Sequence, residues 1–213
     1  MRFWKILLLG IAGGAADYAM SLVTSGFGVG LYLDTIFTVT VTLSGGLGAG
    51  LAGALTYTAL CRYDSWGIYL FGICSAAAAV LTCLFSRMFP AECGSLRIIG
   101  PPAEKKERED LPPTILNIIT VLALFSLTMC VLMSVLGGII AWFIQAVLNA
   151  PLVDLPPETF FKLGLVRHNI SLIAAEILAR FPVNILDRII TVFTAYGTAR
   201  LLVGLFRRKR KIR

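Results

Sequence analysis

The stretch LYLDTIFTVTVTLSGGLGAGLAGALTYTAL, residues 31–60, decides the fold class of this chain. Its single charged residue is Asp34, and it contains no proline. A run this apolar is typical of a segment that lies in a bilayer, and the Gly45-Gly46 pair divides it because glycine permits a sharp bend. We therefore predict two short membrane helices, residues 32–43 and 46–61, joined at a tight glycine turn.

The whole chain has the composition of a membrane protein. Its 213 residues are 57% hydrophobic and only 15% charged, which is outside the usual range of soluble domains. The formal net charge is +7, but the lysines and arginines lie between and after apolar runs and are not interleaved with aromatic residues. We predict one membrane domain, residues 1–213, whose surroundings are the lipid bilayer and which has no nucleic-acid partner.

Apolar runs outside this hairpin predict four further spans. The result is an all-α integral membrane protein with six transmembrane helices, of which the other four are residues 4–23, 66–85, 114–149 and 183–205. Because 114–149 exceeds the roughly 20 residues that one crossing needs, it is either a long helix broken near Gly137-Gly138 or a hairpin of two spans. An amphipathic helix, residues 160–181, precedes the last span, and its charges favour the membrane interface or the wall of a cavity.

The orientation follows from the distribution of positive charge. With six spans, both termini, the connector 86–113 and the basic tail 206–213 lie on one side of the membrane. Of the 19 lysine and arginine residues, five fall on the opposite side, which leaves 14 here. The positive-inside rule therefore predicts a multi-pass protein of the cell (plasma) membrane with both termini cytoplasmic. A seventh span would put the basic tail outside, so 114–149 is expected to cross once.

Polar residues converge at the outward-facing ends of the predicted helices. Charged side chains are costly inside a bilayer and are normally functional or paired. We predict that five polar residues bind a substrate: Asp17, Asp34, Asn184, Asp187 and Arg188. Three other polar residues would lie at the same outward-facing helix ends: Arg62, Asp64 and Asn149. The alternative is that Asp187 and Arg188 only anchor the last helix at the interface.

The first helix carries small residues at helical spacing. Two overlapping pairs, Ala12 with Ala16 and Ala15 with Ala19, form a face that a neighbouring helix can approach closely. This face either docks a partner protein or packs within the bundle.

No sequence motif predicts catalysis. The chain lacks the glycine-rich nucleotide loop that ends in Lys-Ser/Thr, a His-Glu-x-x-His metal pair and a Gly-x-Ser-x-Gly nucleophile turn. Its five cysteines show no metal-binding or redox spacing. We therefore predict a protein that is not an enzyme and has no cofactor or resident metal.

Two segments resemble the substrate-binding (S) components of energy-coupling factor (ECF) transporters. The first comprises LDTI at 33–36, LSGG at 43–46 and AGLAG at 49–53. The second, ARFPVNILDR at 179–188, is similar to that family's Arg-Ile-Pro-Val-Asn-hydrophobic-hydrophobic-Asp-Lys pattern.

This resemblance implies a subunit that captures a micronutrient, namely a vitamin, a vitamin precursor or a metal ion, as a small polar ligand on the extracellular side. Its partners would be a transmembrane scaffold and ATPase subunits, and ATP hydrolysis would reside in the latter. In that family an Ala-x-x-x-Ala face on the first helix contacts the scaffold, which matches Ala12 with Ala16 or Ala15 with Ala19. The alternative is a multi-span membrane sensor or assembly protein without catalytic activity of its own.

Overall fold

The computed structural model describes residues 2–27, 31–61, 68–93, 96, 98, 114–149 and 156–211, and its regular secondary structure there is entirely helical. The helices are α1 (Arg2–Gly26), α2 (Ile36–Gly45), α3 (Leu47–Cys61), a 3-10 turn (Ile68–Phe71), α4 (Gly72–Met88), α5 (Pro90–Cys93), α6 (Ile115–Ala146), α7 (Pro156–Arg167) and α8 (Leu172–Lys211).

Four of the described segments are long and apolar enough to cross a membrane, as expected of a multi-pass membrane protein. They are Phe3–Gly26, Tyr69–Met88, Ile115–Ala146 and Leu172–Phe206. The predicted hairpin is present as α2 and α3, and it turns at Gly46, whose φ of 85° favours glycine. At about 1.5 Å per residue, α2 and α3 are roughly 15 and 22 Å long, which is less than the roughly 30 Å hydrocarbon core. The count of six spans therefore stays a prediction.

The short helix α2 lies at the centre of the bundle. Nine of its ten residues are buried, and it contacts α1, α3, α4 and α8. Its hydroxyl groups need no water, because Thr40, Thr42 and Ser44 each donate to the carbonyl oxygen four residues earlier. A threonine-rich segment can therefore occupy an otherwise apolar core.

Helix α1 packs on α3 through glycine and alanine. A Cβ atom added to Gly14 would lie 2.2 Å from the carbonyl oxygen of Gly53, and one added to Gly10 would lie 2.5 Å from that of Ala49. These distances are too short for any side chain, so the two backbones are in close contact. Such small-residue packing is a main source of stability between membrane helices.

Helices α6 and α8 form the longest pair in the described structure. Buried side chains on α8 recur in adjacent pairs every four residues, and several are polar: Glu176, Arg180, Asn184, Asp187, Arg188 and Thr191. A Cβ atom on Gly138 of α6 would lie 2.7 Å from the backbone of Ile177. Gly138 therefore allows α8 to approach α6 closely.

The structure corrects the predicted helix 160–181 and the predicted start of the last span at residue 183. Helix α7 ends at Arg167, the chain turns at Asn169 with φ 61°, and α8 then runs without interruption through Pro182. The prediction was wrong because it placed proline in the first helical turn. Pro182 is instead exposed on the surface of α8, where its missing N–H removes one backbone hydrogen bond of the helix.

The predicted 114–149 run is a single helix. Ile115–Ala146 continues without a break at Gly137-Gly138, so the hairpin alternative is wrong. The predicted connector 86–113 begins inside α4, which ends at Met88. Most of residues 94–113, and residues 212–213 of the predicted tail, lie outside the described residues.

We expect Gly14→Ala to weaken the α1–α3 contact and to destabilise the protein by about 1 to 3 kcal/mol, because the new methyl group collides with backbone. Thermal unfolding of the purified protein in detergent measures this loss. The matched control is Gly197→Ala on α8, where nothing lies within 4 Å of the added carbon. Equal stability of the two variants would show that α1 and α3 are not in close contact.

Candidate functional site

Three of the predicted site residues meet beside the middle of α8. Arg188 is in direct contact with Asp187, and its Nη2 lies 3.6 Å from Oδ1 of Asp34. Asp34 also accepts a hydrogen bond of 3.3 Å from the hydroxyl of Tyr57 on α3. We call Asp34, Asp187 and Arg188 the triad. It joins the segment before α2 to α8, but Asp187 and Arg188 lie well inside α8 and not near a helix end as predicted.

The triad also fixes the backbone that leads into α2. Oδ1 of Asp187 accepts a 2.8 Å hydrogen bond from the N–H of Leu33, a residue in the left-handed region with φ 45°. Nη1 of Arg188 donates to the hydroxyl of Thr35 at 2.5 Å. The acid and the base of α8 therefore hold the chain on both sides of Asp34 and set its position.

Asp17 on α1 caps the N-terminus of α2. Its carboxylate accepts hydrogen bonds from the N–H of Phe37 at 2.8 Å, from the N–H of Thr38 at 2.7 Å and from the Thr38 hydroxyl at 2.7 Å. An anion at this end of a helix also interacts favourably with the helix dipole. Because both oxygens are engaged and the side chain is fully buried, Asp17 positions α2 beneath the triad.

A second polar cluster links α7, α8 and Tyr32. The Tyr32 hydroxyl lies 2.8 Å from both carboxylate oxygens of Glu158 and accepts a 2.8 Å hydrogen bond from Arg180. Arg180 lies 3.3 Å from Glu158, and Lys162 lies 3.0 Å from Glu176. These two ion pairs connect α7 to α8. In the first the acid lies on α7 and the base on α8, and in the second the base lies on α7 and the acid on α8. We call the five residues the outer network.

Asn184 faces α6, and its hydrogen bond goes to that helix and not to the triad. Its amide nitrogen donates to the hydroxyl of Ser134 at 2.9 Å. It lies one helical turn before Arg188, so its hydrogen bond fixes the α6–α8 pair just beside the triad. Of the other residues predicted at the outward-facing helix ends, Asn149 follows α6 and is exposed, and Arg62 and Asp64 lie outside the described residues.

Only one triad member reaches the surface. The side chain of Asp34 is 21% exposed, whereas those of Asp187 and Arg188 are 0% and 4% exposed. A molecule that approaches the triad can therefore touch Asp34 first. Among the described residues, no group of three or more histidine, cysteine, aspartate or glutamate side chains is arranged to hold a metal ion.

The predicted docking alanines lie on the outer side of α1. Ala12, Ala15 and Ala19 are exposed, and Ala16 is partly exposed. Because Gly10 and Gly14 make the contact with α3, packing within the bundle leaves this alanine face uncovered. The small residues of α1 thus form two separate faces.

Sequence reasoning missed the outer network. Tyr32 was treated as part of the apolar run 31–60, and Glu158 lies just before the predicted helix 160–181. One signal was present: Glu158 with Lys162, and Glu176 with Arg180, are each four residues apart on a helix, with charges that match when the helices run antiparallel.

Comparison with protein-family models, with curated proteins and with solved structures gave no match for this chain. The function therefore has to be argued from the chain's own residues.

We expect Asp17→Ala to destabilise the protein by about 2 kcal/mol, because it leaves buried N–H donors of Phe37 and Thr38 without an acceptor. Asp17→Asn should lose less stability than Asp17→Ala, since the amide oxygen still accepts one of these hydrogen bonds. Thermal unfolding ranks the three proteins. A wild-type stability for Asp17→Ala would contradict the capping role.

A charge exchange tests whether the outer network holds α7. Lys162→Glu and Glu176→Lys should each lower the melting temperature, and the double variant should recover most of the loss, with a coupling on the order of 1 kcal/mol. Arg167→Glu, at an exposed position of the same helix, is the control and should change stability by no more than about 0.5 kcal/mol. Additive losses in the double variant would show that the two side chains are not coupled.

Proposed function

We propose that this protein is the membrane-embedded substrate-capture subunit of an ATP-driven micronutrient importer, similar to the S components of ECF transporters. The ligand is a small polar molecule taken from the extracellular side. Transport energy comes from separate ATPase subunits that act through a transmembrane scaffold.

The observation that carries this proposal is a buried polar cluster where the start of α2 meets the middle of α8. Charged groups inside a membrane protein are costly, and where they occur they usually mark a ligand or ion pathway. Here Asp187 and Arg188 are buried, yet they lie directly behind the partly exposed Asp34. Small-molecule sites have this character, with mostly apolar walls and a few fixed polar groups.

The positive-inside rule supports an outward-facing position for this cluster. The triad lies beside the start of α2, about two turns of α8 before Tyr196, whose hydroxyl donates to the carbonyl oxygen of Glu92 in α5. In the six-span topology the C-terminal part of α8 leads to the basic tail, and so faces the cytoplasm. Helices α2 and α3 would then act as two short spans within the bundle.

The exposed alanine face of α1 supports a docking role. A face of small side chains lets another membrane helix approach closely, and this one is not used inside the bundle. The scaffold would contact Ala12, Ala15, Ala16 and Ala19 without covering the triad. Capture and docking would therefore be separable by mutation.

Native mass spectrometry of the protein, purified gently in detergent from its own host, tests the proposal. We expect scaffold and ATPase subunits, or a bound small molecule, to accompany the protein. A protein that carries only lipid, or one that brings a signalling partner, would contradict the importer role and favour a sensor or assembly protein.

The same measurement separates docking from capture. The double variant Ala12→Trp and Ala15→Trp should fold normally, because both positions are exposed, but should lose the partner subunits and keep the small molecule. Leu124→Trp, at an exposed position of α6, is the matched control and should retain both. Equal loss of partners in the control variant would show that the alanine face has no special role.

A further inference from the structure

The triad contains more negative than positive charge. Two carboxylates, Asp34 and Asp187, share one guanidinium, Arg188. We infer that the captured molecule carries a positively charged nitrogen group that pairs with Asp34. This inference rests on the proposed capture function and narrows its ligand to cationic or zwitterionic compounds.

Arg188 is committed to Asp187 and holds Asp34 only loosely. It touches Asp187 directly and donates to Thr35, whereas its nearest nitrogen is 3.6 Å from Asp34. The Tyr57 hydroxyl, which also donates to Asp34, is likewise distant at 3.3 Å. Direct charge-assisted hydrogen bonds are shorter, at roughly 2.7 to 2.9 Å. Asp34 is therefore the carboxylate of the triad whose positively charged partner is the more distant.

Neighbouring described groups do not supply the missing positive charge. The outer network contains two acids and two bases, Glu158 with Arg180 and Glu176 with Lys162. Asp17 adds another carboxylate nearby, and its oxygens are already occupied by donors of α2.

The chemistry of Asp34 selects among ligand classes. An incompletely paired carboxylate in a poorly solvated position is unfavourable, and a bound cation removes that cost. An anionic ligand would instead be repelled by two carboxylates. The Nε atom of Arg188 is buried and has no hydrogen-bond partner among the described residues, so an acceptor atom on the same ligand could complete the triad. A cationic nitrogen beside a polar acceptor fits both groups.

The first test measures stability without ligand. Asp34→Asn should raise the melting temperature of the purified protein by about 2 to 4 °C, because it removes the repulsion between Asp34 and Asp187. Asp187→Asn is the matched control and should lower the melting temperature, since Asp187 touches Arg188 and accepts the Leu33 N–H. A loss of stability in Asp34→Asn as large as that in Asp187→Asn would overturn the inference, because Asp34 would then be a fully paired structural group.

The second test uses three probes of similar shape and different charge: benzylammonium, benzyl alcohol and benzoate, at equal concentration and constant ionic strength. Benzylammonium should raise the melting temperature of the wild-type protein more than the other two, and Asp34→Asn should abolish this difference. A shift with benzylammonium that is no larger than the shift with benzyl alcohol, or a preference for benzoate, would overturn the inference.

These outcomes are distinguishable from failure of the proposed function. If the charge dependence is observed but no scaffold or ATPase subunits accompany the protein, the cation site stands and the importer role fails. If the partners are present but the probes show no preference for the cation, the importer role stands and the ligand class is wrong.

Discussion

The arrangement of this protein depends on how the first N–H groups of α2 find acceptors. Every helix begins with N–H groups that have no partner within the helix, and α2 begins inside the bundle, where the acceptors must come from protein. Asp17 of α1 accepts from Phe37 and Thr38. Asp187 and Arg188 of α8 hold Leu33 and Thr35 just before the helix. This short buried helix thus depends on charged groups from two of its neighbours, α1 and α8, and one of its flanking residues, Asp34, becomes the exposed member of the cluster.

Hydropathy predicted where the helices lie, because long apolar runs in a chain of this composition form few structures other than membrane helices. The hairpin and the predicted spans 4–23 and 66–85 agree to within a few residues with the helical segments of the structure, the latter two with Phe3–Gly26 and Tyr69–Met88. Residues 172–182 were misassigned because a hydropathy argument treats each charge as facing water or lipid. In the structure Glu176 and Arg180 pair with residues of α7 and of the segment before α2. The charges that led us to exclude residues 172–182 from the last span are therefore compatible with a membrane-spanning helix.

The candidate site was predicted in part. The predicted topology brought Asp34, Asp187 and Arg188 together, but it placed Asp187 and Arg188 near a helix end, whereas they lie near the middle of α8. It could not show that Asp17 caps another helix, or that Asn184 bonds to Ser134 of α6, because both depend on side-chain direction across helices. Tyr32 was missed because its ring suits an apolar run, while its hydroxyl meets Glu158 and Arg180.

The buried charges of α8 have a consequence for the order in which the protein is assembled. A charged side chain at the centre of an isolated helix costs about 2.5 to 3.5 kcal/mol on insertion into a bilayer, and α8 buries four of them: Glu176, Arg180, Asp187 and Arg188. Their partners on the segment before α2 and on α7 precede α8 in the chain, so they leave the ribosome earlier. The last helix therefore enters a membrane that already contains its counter-charges, and a chain in which α8 arrived before them would have to hold those charges in lipid.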